Sequence, residues 1–270
     1  MKNILYIFLI FSSFCLANST LANHSLSKQY ISDSSLKKLN YLEKLANESE
    51  KFHKYCWYNL EELNGCFRAS SIMIIGYNQS RNTLAYLQKV QAQVEDAGNI
   101  YRLKIQDLNS NKLLLDKKYF YSVDSKEYED AKLQNIEYFY NKNKNEISKI
   151  LQINNISPSS FSFNYIPYKK NDSSLLIGFS TTQSLVQFGY DKPIKVTALN
   201  NLVLKKSNKL FFKQNYTGKN FCQECTYPFF LLDPLTIIEL KPSSKKILVI
   251  GLIAYDFHSP NSLFFQLIGI

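Results

Sequence analysis

Apolar and polar positions alternate over short stretches through much of the chain. Ser71 to Tyr77, Thr83 to Val90, Ile100 to Asp107 and Lys112 to Tyr121 are runs rich in β-branched and aromatic residues. Polar punctuation separates them, as Asn78-Gln79-Ser80-Arg81-Asn82, Asp96-Ala97-Gly98-Asn99 and Asn109-Ser110-Asn111. Branched and aromatic side chains suit a pleated, half-buried surface, and Asn, Asp, Ser and Gly accept turn backbones, so the pattern predicts a meander of antiparallel strands. The same reading places strands at Leu175 to Phe179, Leu185 to Tyr190, Pro193 to Ala198, Leu202 to Lys206, Leu210 to Gln214, Thr236 to Leu240, Lys246 to Tyr255 and Ser262 to Ile268.

In two places the period changes to that of a helix. Leu36, Leu39, Leu42, Leu45, Ala46 and Phe52 recur at three- and four-residue spacing from Ser34 to Phe52, with Lys37, Lys38, Glu43, Lys44 and Glu48 between them. Asp124-Ser125-Lys126-Glu127 has the acceptor and carboxylate of a capping box, and predicts a second helix with the stripe Ala131, Leu133, Ile136, Phe139, Tyr140, Ile147, Ile150 and Leu151. Both stripes read as core faces. The expected fold class is mainly β: antiparallel meander sheets with two amphipathic helices.

A possible repeat runs through the strands. Ile74-Ile75-Gly76-Tyr77-Asn78 followed by Leu84-Ala85-Tyr86 matches Leu176-Ile177-Gly178-Phe179-Ser180 followed by Leu185-Val186-Gln187-Phe188. An alternating strand follows each, Tyr101 to Ile105 and Ile194 to Ala198, and a weaker copy begins at Leu248-Val249-Ile250-Gly251. Each unit resembles a blade of the TolB-like or WD-type β-propellers, and the pairing of motifs is similar to that in an uncharacterised family of predicted secreted bacterial proteins. Two or three blades do not close a propeller, which needs about four. The resemblance therefore implies a pair of meander sheets packed together, with the second helix covering an edge or face.

The start of the chain follows a different rule. Lys2 precedes an apolar run from Ile4 to Leu16, and Ala17-Asn18-Ser19-Thr20-Leu21-Ala22 supplies small residues two apart. This is the order of a secretory signal, with cleavage expected after Ala22, and the apolar run is shorter than the roughly 20 residues of a spanning helix. The organisation expected is a signal peptide at 1–22, a helical segment at 23–54 and a β-rich domain at 55–270. That domain carries a helical insertion at about 124–151 and repeat halves at 71–121 and 174–214.

Export changes how the composition reads. Hydrophobic residues make up 45% of the chain and aromatics 14%, which is enough apolar surface to offset the entropy of ordering. The formal charge is +10, with lysines scattered in pairs such as Lys117-Lys118 and Lys205-Lys206 and no basic arm, so the surplus reads as a solvated surface that could attract an anionic envelope, a host surface or an acidic protein. Nucleic acid is not an expected partner, because no binding module is recognisable. No membrane span is expected after cleavage.

Cys15 leaves with the signal, and Cys56, Cys66, Cys222 and Cys225 remain. An even number of cysteines in an exported chain reads as two disulfides, with three connectivities open and proximity favouring Cys56 with Cys66 and Cys222 with Cys225. Cys222-Gln223-Glu224-Cys225 also has the C-x-x-C spacing of thiol oxidoreductases. Those enzymes place the first thiol at a helix N-terminus, whereas Pro228 in the aromatic run after Cys225 predicts no helix. Phe221, Tyr227, Phe229 and Phe230 crowd this motif and form a possible binding patch, set against the plainer expectation that strand aromatics pack inward.

No metal site or cofactor is expected, since His24, His53 and His258 lie at no ligand spacing. Asp256 and His258 are two members of a hydrolytic set without a serine in a G-x-S-x-G elbow. The functional expectation is an exported, non-catalytic binding or interaction protein, periplasmic or released. A secreted hydrolase, or a thiol-disulfide oxidoreductase using Cys222 and Cys225, is the alternative.

Overall fold

The computed structural model describes residues 41–42, 44–46, 48, 68–69, 71–91, 99–121, 135–158, 161–169, 175–186, 194–216, 230–254 and 262–270. The chain divides into two units, Met1–Ser34 and Ser35–Ile270, and every described residue belongs to the second. Its described residues are mainly β, as expected, and form three open sheets.

The central sheet has the order β1-β12-β11-β10-β6, built from β1 (Arg68–Ala69), β6 (Ser162–Pro167), β10 (Phe230–Lys241), β11 (Lys245–Ala254) and β12 (Ser262–Gly269). Its long strands are antiparallel, and the two-residue β1 lies parallel to β12 at Ser262 and Leu263. A second sheet is the plain meander β2-β3-β4-β5, of Ile72–Asn78, Thr83–Gln91, Asn99–Asp107 and Leu113–Tyr121. The third is the meander β7-β8-β9, of Leu175–Val186, Ile194–Lys206 and Lys209–Asn215.

β11 shows how these sheets stack. Its central run Ile247-Leu248-Val249-Ile250-Gly251-Leu252 is buried at every position, although side chains of a strand alternate between faces. A strand can do this only if both faces of its sheet are covered. Ile247 and Val249 join Ile238, Leu240, Phe265 and Leu267 against Leu84 and Tyr86 of the second sheet, Leu108 of its last turn and Leu42 of the first helical stretch. Leu248, Ile250 and Leu252 join Leu232, Phe264 and Ile268 against Leu202 and Leu204 of β8. Each such side chain contributes about 1.5–3 kcal/mol by leaving water, so two apolar cores flank the central sheet.

The outer face of the second sheet carries helices α1 (Ile136–Lys142) and α2 (Lys144–Ile153). Asn135 caps α1, its side-chain oxygen accepting from the backbone N–H of Glu137 at 2.7 Å and of Tyr138 at 3.3 Å. The expected helix from Asp124 is thus described only from Asn135 onward, since 122–134 lie outside the described residues. It is two helices rather than one. Asn143 ends α1 with its side-chain amide donating to the Phe139 carbonyl at 2.9 Å, an alternative to the helical ladder that Asn offers and longer side chains do not. After α2 the chain returns against β2, where a Cβ on Gly76 would stand 2.5 Å from the Ile156 side chain.

The first expected helix is described at 41–42 and 44–46, all helical, with Leu42 and Ala46 in the core. The third sheet differs from the strand expectations. Leu175 to Phe179 and Leu185 to Tyr190 were expected as two strands, and so were Pro193 to Ala198 and Leu202 to Lys206. The structure joins each pair into a single long strand, β7 and β8. The intervening Ser180 to Ser184 is polar without being a turn. It pairs with β8 through a register shift between Ser180 and Thr181, and the Asn200 amide donates to the Thr182 hydroxyl across the ladder.

Candidate ligand cavity

The site grows out of one alternation. In β4, Tyr101, Leu103 and Ile105 face the helices, which leaves Arg102, Lys104 and Gln106 facing the central sheet. Opposite them stands the edge of β12, which β1 covers only at Ser262 and Leu263. An uncovered strand edge presents backbone groups that need partners.

Side-chain amides supply those partners at every second residue. Gln88 Nε2 donates to the Phe265 carbonyl at 3.4 Å, Gln106 Nε2 to the Leu267 carbonyl at 3.1 Å and Asn111 Nδ2 to the Gly269 carbonyl at 3.1 Å. Asn111 closes the row by accepting from the Gly269 N–H at 2.7 Å, and so bonds as a strand residue would. Its placement comes from the β4–β5 turn, where Asn111 takes a φ of 58° and Asp107 accepts from the Asn109 N–H and the Ser110 hydroxyl, each at 2.8 Å. The Ser110 bond holds the Asp107 carboxyl below the usual carboxylate range, against a smaller opposing effect of burial. Gly269 has to be glycine, because a Cβ there would lie 2.1 Å from the Leu108 carbonyl oxygen.

Beyond this amide row the layers separate around a cavity of about 380 Å³, bounded by β3, β4, β5, β12 and β9. Lys104 Nζ donates to Gln88 Oε1 at 2.7 Å, and the Tyr86 hydroxyl donates to Gln106 Oε1 at 3.2 Å. Arg102 Nε donates to Asp116 Oδ1 at 2.9 Å in a partly exposed ion pair. From the third-sheet side, Gln266 Nε2 donates to Gln214 Oε1, and the Tyr216 hydroxyl donates to Gln266 Oε1 at 2.5 Å.

The electrostatics are uneven. Burial lowers the Lys104 ammonium to about 8, with Asp116 opposing the shift and Arg102 adding to it. Burial likewise raises the Tyr86 phenol, with Asp116 adding to the shift and Arg102 opposing it, so this hydroxyl stays neutral. Asp116 is the single carboxylate among the described residues of the lining, and it is already engaged. The arrangement can therefore hold a polar group by directed donors, and Lys104 can carry a proton near neutral pH.

None of the residues singled out from sequence is among the described residues of this lining. Cys56, Cys66, Cys222, Cys225, Phe221, Tyr227 and Phe229 are outside the described residues, as are Asp256 and His258. Phe230 is described only as the first backbone position of β10. Sequence reasoning missed Arg102, Lys104 and Gln106 because charged and amide residues alternating with apolar ones read as a solvent face. The signal available was β12, whose apolar run shows that its neighbourhood is interior. No family model, curated protein or solved structure matches this chain.

Proposed function

We propose that the chain is an exported binding protein, periplasmic or released, that holds a small polar molecule in the cavity beside β12 without catalysing a reaction on it. The observation that carries this reading is a partly desolvated lysine kept in a cavity lined with fixed amides. A seam serving stability alone gains more from apolar packing, because removing an ammonium from water costs several kcal/mol when no counter-charge meets it fully. A cavity of a few hundred Å³ with convergent polar groups is the usual form of a small-molecule site.

The rest of the chain agrees with a role outside the cytoplasm. The apolar run to Leu16 and the small residues to Ala22 support export, and the remaining four cysteines suit an oxidising compartment. The basic surplus would raise the local concentration of anionic molecules or hold the protein at an anionic envelope or host surface.

The test is NMR of the labelled protein, lacking 1–22, against a low-molecular-weight extract of cell envelope and culture fluid. Shifts of the Gln88, Gln106 and Asn111 side-chain amides, with the added molecules recovered unchanged, are expected. Shifts confined to other regions, or conversion of a molecule in the extract, would overturn the reading.

A further inference from the structure

We infer that the molecule held beside β12 is a small oxyanion, a carboxylate or phosphoryl compound, gripped by Lys104 and Arg102; this rests on the cavity being a binding site. Hydrogen-bonding capacity around the cavity is unevenly spent. An ammonium has three donors and a guanidinium five, whereas an amide side chain has two donors and a carbonyl oxygen with two lone pairs.

The amide oxygens each take one donor already: Gln88 Oε1 accepts from Lys104, Gln106 Oε1 from Tyr86, Gln266 Oε1 from Tyr216 and Gln214 Oε1 from Gln266, while Asp116 Oδ1 accepts from Arg102. The cationic donors are used least. Among the described residues Lys104 Nζ has one acceptor, leaving two N–H groups, and Arg102 uses Nε alone, leaving both terminal nitrogens. Gln106 Nε2 spends both hydrogens, on Asn111 Oδ1 at 3.2 Å and on the Leu267 carbonyl.

A cavity whose spare donors lie on an ammonium and a guanidinium selects a ligand rich in acceptors. The spare donors belong mainly to cations, which favours a charged acceptor, and the free end of a guanidinium matches two oxygens of one carboxylate or phosphate. A neutral sugar or amide brings no negative charge to meet the spare donors of the two cations. The ion pair with Asp116 holds the guanidinium of Arg102 by its Nε.

The experiment is calorimetric titration at pH 7 and constant ionic strength with citrate, inorganic phosphate and glucose as probes. Wild type, Lys104→Met and Lys117→Met are compared. Lys117 pairs with Glu146 on the helix side of β5, so its removal changes net charge equally, away from the cavity. Citrate or phosphate is expected to bind with a Kd below about 1 mM, to weaken at least tenfold in Lys104→Met, and to be unaltered in Lys117→Met. The stronger of the two anions assigns the carboxylate or the phosphoryl source.

Glucose binding as well as the anions would overturn the oxyanion inference and leave the binding reading standing. Anion binding that survives Lys104→Met overturns the inference too, as does equal loss in Lys117→Met. Silence from all three probes overturns the inference, while the extract experiment decides the binding reading separately. Circular dichroism of each variant guards against loss of fold being read as loss of the site.

Discussion

β4 has two faces, both turned inward, that do opposite things. On the helix side Tyr101, Leu103 and Ile105 are all 0% exposed, and Tyr101 stacks on Phe139 with ring centroids 4.0 Å apart. Tyr119 and Tyr121 meet the same Phe139 ring edge-on at 5.2 and 6.0 Å. Towards the central sheet the residues between them, Arg102, Lys104 and Gln106, form a polar wall. Neighbouring positions on one strand thus separate the work: odd residues are packed against a helix for stability, and even residues hold charge in a cavity. Interior position does not imply apolar core, and the chemistry facing each side decides which it is.

The largest effect expected breaks the packed face. Phe139→Ala removes the ring that three tyrosines share and should cost about 3–5 kcal/mol in urea unfolding, by lost transfer energy and a cavity that β4 and β5 cannot close. A loss under about 1 kcal/mol would show that α1 is not the anchor of this face. Gly269→Ala tests the polar side through its backbone. The added methyl would overlap the Leu108 carbonyl and should cost up to about 3 kcal/mol, with broadened Asn111 amide signals, because that carbonyl belongs to the turn that sets Asn111. An unchanged spectrum would mean that the turn yields freely.

Gln106→Leu should cost about 1–3 kcal/mol although it adds apolar bulk. It leaves the Leu267 carbonyl and the Tyr86 hydroxyl without the partner they have in a buried setting. Were the variant as stable as wild type, the amide row would not be what protects the edge of β12. The contrast with Phe139→Ala is in mechanism: one removes contact area, the other orphans polar groups.

These two faces were unequally legible. The helix face could be read from period alone, because Ile136, Phe139, Tyr140, Ile147 and Leu151 recur at helical spacing and all five are buried. The meander from Ser71 to Tyr121 followed from alternation and polar punctuation, and its four strands pair in the order read. The polar wall was not legible. A row reading Arg-x-Lys-x-Gln is what a solvated strand face looks like, and only the return of β12, more than 150 residues later, encloses it. Its partners are backbone carbonyls, which carry no residue identity for a pattern to show. Likewise the Ser180 to Ser184 run separates two expected strands, because local composition cannot reveal that β8 pairs with it on both sides of a register shift. Long-range pairing, rather than local propensity, accounts for both.

The smallest effect expected is the most informative about the polar face. Lys104 titrates near 8 in the folded protein, against about 10.4 in an unfolded chain, so between those values the unfolded state holds more protons and wild-type stability rises with pH relative to a chain lacking this group. Below that window the charged ammonium is a standing cost. Lys104→Met removes it, loses the donor to Gln88 Oε1, and should still gain on the order of 1 kcal/mol at pH 7. That advantage should shrink from pH 8 and reverse before pH 10, where wild-type Lys104 is neutral and the lost bond to Gln88 Oε1 remains as a cost to the variant. The phenols of Tyr86 and Tyr101, raised by burial, lower stability at still higher pH in both proteins and cancel in the comparison. Paired urea titrations at pH 7, 8.5 and 10 measure the gap. A variant less stable at pH 7, by a margin that does not change with pH, would make Lys104 a brace between β3 and β4, and the wall would then be structural on both faces.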